Sequence, residues 1–95
     1  MQYEIYYPTM LSEISDVQND NIDVCVVSDD GKHYTFVIAT PINLIYLMKK
    51  DQMEFISAAH PFLIVKELKK NIIEKAIENL MGENEAVIRT YGCDY

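Results

Sequence analysis

Residues 22–39 read IDVCVVSDDGKHYTFVIA, two runs of β-branched and aromatic residues around Ser, Asp, Gly and Lys. Val, Ile, Tyr and Phe suit a pleated backbone, and Asp-Gly is a strong reversal signal. The stretch therefore predicts a β-hairpin with strands over 22–27 and 33–39. Loop length decides which face each side chain takes, because a one-residue slip exchanges the two faces. A two-residue loop, Asp30-Gly31, sets Val26 opposite Thr35 and Val24 opposite Val37. A three-residue loop over 29–31 sets Val26 opposite Tyr34, Val24 opposite Phe36 and Ile22 opposite Ile38. Only the second gathers the bulky side chains on one face, and it gives Gly31 the left-handed position of a bulged turn. The other face then carries Asp23, Cys25, Val27, His33, Thr35 and Val37. Its half-apolar members Cys25, Val27 and Val37 suit either a homodimer face or a surface covered by the N-terminal segment.

The flanking sequence extends this hairpin in both directions. Gln2 to Tyr7 alternates and is rich in β-formers, so it predicts a first strand stopped by Pro8. Leu11, Ile14 and Val17, spaced by three, allow one short helical turn. Thr40-Pro41 is a helix start, with Thr as N-cap and Pro at the first helical position, where its missing N–H costs nothing. Leu44, Ile45, Leu47 and Met48 supply that helix's apolar side, and Lys49 and Lys50 suit its C-terminal dipole. Phe62 to Val65 is a continuous apolar run, expected as a strand buried on both faces. Leu68, Ile72, Ile73, Ala76, Ile77, Leu80 and Met81 recur at helical spacing up to Gly82, with Leu68 and Ile73 at staple positions around Lys69. Glu85 to Tyr91 is expected as a last strand. The order β-β-β-α-β-α-β predicts an α+β fold: a mostly antiparallel sheet of four to five strands, with two helices packed on one face.

The chain's 95 residues suffice for one domain, expected to span 1–95. No basic leader followed by an apolar run opens it, and no apolar run reaches membrane length, so a cytoplasmic protein is expected, with no membrane partner. In that setting Cys25 and Cys93 are expected as thiols. The net charge of −7 is unevenly placed. Residues 1–31 contain seven acids and no Lys or Arg, residues 32–81 sum to +2, and residues 82–95 to −2. This distribution argues against nucleic acid as ligand, since phosphate binding needs clustered cations. A one-signed surface instead steers a basic protein partner.

Each candidate chemistry fails on spacing. Cys25 and His33 would share a face but lie two residue pairs apart, roughly 6–7 Å by the strand rise, too far for a nucleophile and its base. His60 has no second ligand near it in sequence, so no metal site is expected. A calcium loop counted from Asp16 needs Gly at its sixth place and Glu at its twelfth; the chain has Asn21 and Val27. No Gly-rich loop precedes either expected helix, so no phosphate cradle is predicted. No cofactor and no catalytic residue are expected.

The run from DVCVVSDDGKHYTFVIATPINLIYLMKK through PFLIVKELKKNIIEKAIENL, about two-thirds of the chain, resembles small acidic bacterial domains. It is similar in architecture and acidity to immunity proteins of contact-dependent inhibition and other polymorphic toxin systems. The resemblance implies a non-enzymatic protein that binds and neutralises a cognate basic toxin domain, such as a nuclease, by occluding its active site. The residues expected at that interface are Glu13, Asp16, Asp20, Asp23, Asp29 and Asp30, with Tyr6, Tyr7 and Tyr95 as aromatic anchors. Two other readings stay open: an acidic nucleic-acid mimic or regulatory binding protein, and a small structural or homo-oligomeric domain.

Overall fold

The hairpin closes through the three-residue loop. In the computed structural model, which describes residues 2–59 and 61–94 (the last two by backbone alone), β2 (Asn21–Ser28) and β3 (His33–Ala39) run antiparallel. Ile22 lies opposite Ile38, Val24 opposite Phe36 and Val26 opposite Tyr34. Ser28 N–H donates to Lys32 O at 2.9 Å, Gly31 N–H donates to Ser28 O at 3.0 Å, and Gly31 has φ +86°. That backbone angle is the one a Cβ disfavours. The six bulky residues of the inner face are all buried, none more than 5% exposed.

Three short strands extend the hairpin. β1 (Tyr3–Tyr6) pairs antiparallel with β2. The outer edge of β3 is divided between two partners. Further along the chain β5 (Gly92–Asp94) runs antiparallel beside Tyr34–Phe36, and β4 (Leu63–Ile64) runs parallel beside Ile38 and Ala39. The sheet is therefore mixed, not wholly antiparallel. A helix, α1 (Pro41–Lys50), and its connector carry the chain out and back, so β4 re-enters in the direction of β3. The run 62–65 yields only two paired residues, and Ile64 is 56% exposed. An apolar run alone does not distinguish a doubly buried strand from a short edge segment.

The helices that cover the sheet are not the expected pair. α2 (Lys70–Met81) buries Ile73, Ile77, Leu80 and Met81 against the inner face, with Leu68 and Ile73 both buried at its start. The expected strand at 85–91 is instead α3 (Glu85–Tyr91), and only Gly92 begins the strand. Asn84 caps α3, its Oδ1 accepting from Val87 N–H at 3.0 Å. Glu85 faces Arg89 one turn later at 3.0 Å. The cap and the i,i+4 pair override the β-propensity of Val87, Ile88 and Tyr91, which take helical spacing with Ile88 in the core. Leu11, Ile14 and Val17 pack against the same core around a single 3₁₀ turn, Leu11–Glu13. Thr40 and Pro41 start α1 as expected, with Asn43 N–H donating to Thr40 Oγ1 at 3.3 Å. Yet α1 contributes nothing to the core, and Asn43 is its sole buried residue.

Candidate interaction surfaces

The outer face of the sheet is where the sequence places its polar residues, and no described helix contributes to a core there. Glu4 and Tyr6 of β1, Asn21 and Asp23 of β2 and His33 of β3 are exposed, around the half-buried Cys25, Val27, Thr35 and Val37. Tyr6 donates its hydroxyl to the Glu4 carboxylate, which pushes the phenol above its usual range. Cys25 Sγ lies 3.7 Å from Thr35 Oγ1, while His33 pairs with Val27, so thiol and imidazole are not brought together. The N-terminal segment does not cover this face: it pairs edge-on as β1. Among the described residues no group of three His, Cys, Asp or Glu could hold a metal ion.

The six acids expected at an interface are distributed along β2 and beyond both its ends. Asp29 and Asp30 belong to the hairpin turn. Asp29 N–H donates to Gln2 O at 2.9 Å, and the Asp29 carboxylate accepts from Gln2 N–H at 3.5 Å. Asp30 accepts from the Ser28 hydroxyl and, at 3.2 Å, from Lys32 N–H, and these bonds hold its carboxyl below the ordinary range. Asp16 and Asp20 lie at the other end, roughly 25 Å away along an eight-residue strand. Asp16 accepts from Gln18 N–H at 3.0 Å, and Asp20 from Asn21 N–H at 2.8 Å. Turn chemistry thus engages four of the six. The carboxylates of Glu13 and Asp23 have no hydrogen bond or ion pair among the described residues. The cations nearest the turn are already engaged. Lys32 and Arg89 both pair with Glu85, whose carboxyl they hold below its usual range.

The three tyrosines separate. Tyr6 is 50% exposed. Tyr7 turns the other way and packs against the core, its hydroxyl buried without a partner among the described residues and its pKa raised by that burial. Tyr95, like His60, lies outside the described residues, as does the Cys93 side chain.

A second surface escaped the sequence reading. Helix α1 carries apolar residues on more than one side: six of its ten are Ile42, Leu44, Ile45, Tyr46, Leu47 and Met48. Leu44, Leu47 and Met48 are half-buried on the inner stripe, where Leu47 meets Met53, Ile56 and Phe62 around a cleft of about 160 Å³. Ile42, Ile45 and Tyr46 form the outer stripe at i, i+3 and i+4, each about half exposed. Ile45, expected inward, is one of them. Phe55 at 73% and Ile64 at 56% extend the apolar surface of this part of the chain. The signal was legible in principle, since a helix with apolar residues on more than one side needs cover on more than one stripe.

The α1 start is fastened to the acidic segment. Thr40 Oγ1 donates to Gln18 O at 2.6 Å, Asn21 Nδ2 to Asn43 Oδ1 at 2.9 Å, and Asn43 Nδ2 to Asn19 Oδ1 at 3.1 Å. Asp20 therefore lies beside the helix's N-terminal end. Compared with known proteins, the chain matches no family model, no curated protein and no solved structure.

Proposed function

We propose that the protein binds and neutralises a basic protein partner, in the manner of an immunity protein, by laying carboxylates over cations that the partner uses on nucleic acid. The observation that carries this reading is the acidic outer face of the sheet, where Asp23 borders a cleft of about 490 Å³ walled on its other side by Phe62 and Tyr91. It exposes Glu4, Tyr6 and Asp23 within a 31-residue segment that holds seven acids and no Lys or Arg. Tyr6 adds contact area at low entropic cost. Asp23 has no cation of its own to give up, so pairing it with a partner's Lys or Arg displaces only water.

Affinity capture from lysate of the native cells, with the chain immobilised at low salt, should recover a basic protein at near-stoichiometric yield. Raised salt should release it, because exposed charge pairs are screened. Replacing Glu4→Lys and Asp23→Lys together should cut recovery at least about tenfold, through repulsion across the interface. Recovery of no basic protein, or equal recovery by the double variant, would sink the proposal.

A further inference from the structure

The outer stripe of α1 is a surface that the sheet-face reading leaves unused. Ile42, Ile45, Tyr46, Met53, Phe55 and Ile64 are between 39% and 73% exposed. Together they leave on the order of 600 Å² of apolar side chain in water, at roughly 200 Å² for each large side chain. That total stands at the upper end of the ~300–600 Å² found in the largest apolar patch of an ordinary monomer, and below the ~800 Å² each partner contributes to a stable interface.

Charge decides what can sit there. Residues 41–62 hold Lys49 and Lys50 against Asp51 and Glu54 and so carry no net charge, in a chain of −7. A second copy can meet this surface without like-charge repulsion. It could not meet the uncovered edge of β1 on the same terms, because two segments of seven uncompensated acids would be brought side by side.

We infer that the protein forms a homodimer through its α1 helices, packed antiparallel across a twofold axis. Such an interface is self-complementary: each copy presents the same patch. Ile45 and Tyr46 lie near the middle of the ten-residue helix, at the axis, with Ile42 outside them. The antiparallel arrangement carries Lys49 and Lys50 of each copy towards the other's helix start, where Asp20 precedes Asn21. Neither lysine has an ion-pair partner within its own chain among the described residues. Dimerisation through α1 leaves the outer face of the sheet open in both copies, so the dimer would present two acidic faces.

Sedimentation equilibrium from low to high micromolar concentration tests this without any other protein. The wild-type chain should show the mass of two 11.0 kDa protomers. Ile45→Glu should weaken self-association at least about tenfold, since it sets a carboxylate in an apolar contact. Its circular dichroism should not change, because Ile45 is 51% exposed in the isolated chain. Lys49→Glu with Lys50→Glu should also weaken the dimer, and adding Asp20→Lys should recover part of the loss. A wild-type monomer at every concentration would overturn the inference and leave the stripe to a different protein. A dimer unaffected by Ile45→Glu would equally overturn it, placing self-association on another face.

Discussion

At the scale of single residues, the structure separates side chains that look alike in sequence. Tyr6 and Tyr7 are neighbours, yet strand alternation points one to solvent and the other towards the core. The cost falls on Tyr7, whose hydroxyl is buried without a hydrogen-bond partner among the described residues. Desolvating such a group without replacing its water bonds costs about 1–3 kcal/mol, so Tyr7→Phe should leave stability unchanged or raise it by about 1 kcal/mol in urea denaturation. A loss above about 1 kcal/mol would mean that the hydroxyl has a partner after all. Among the acids the same sorting occurs. Asp16, Asp20, Asp29 and Asp30 have backbone duties in turns, whereas Asp23 sits mid-strand with none, and mid-strand Asp is disfavoured by propensity. Asp23 is the mid-strand acid, and turn chemistry does not explain its position.

At the scale of elements, the C-terminal hairpin of helix and strand turns on two residues, Asn84 and Gly92. Asn84 starts α3 and Gly92 ends it, opening β5 directly beside Phe36. A Cβ built on Gly92 would lie 2.6 Å from Phe36 Cε1. Phe36 is fully buried and its ring stacks on Tyr34 at 6.1 Å, so it has little room to withdraw. Gly92→Ala should therefore cost about 1–3 kcal/mol through overpacking, measured by thermal or urea denaturation. A neutral result would show that β5 can move off β3. The strand expected over 85–91 was misread because Val, Ile, Thr and Tyr weigh towards β when counted one by one. The pattern Asn84-Glu85 followed by Arg89 reads as a helix when cap and spacing are weighed together.

At the scale of the whole molecule, stability is unevenly shared. One hydrophobic cluster joins the inner face of the sheet to α2, α3 and the 11–17 segment, and α1 lies outside it. Local opening free energy follows buried apolar contact, so α1 amides of the isolated protomer should exchange with deuterium well before those of α2 around Ile73 and Ile77. Measured as a function of concentration, α1 protection should rise as the dimer fills, while α2 protection stays constant. Equal protection in both helices at high dilution would mean that α1 is packed as firmly as the core. Among the described residues no helix is long and apolar enough to cross a membrane, so the exposed stripe of α1 is not part of a spanning segment.

The sequence by itself determined what local chemistry controls. It set the hairpin with its register and Gly31 turn, the Thr40-Pro41 helix start, the staple around Lys69 and the amphipathic α2, because each depends on residues within a turn or a facing pair. Tertiary structure alone decided what depends on distant partners. The direction of β4, the division of the β3 edge between β4 and β5, and the choice of α2 and α3 over α1 to cover the sheet all followed from chain geometry. So did the fate of the acids. One run of negative charge in sequence became two turn clusters and a lone mid-strand Asp23, because an extended strand carries its two ends apart.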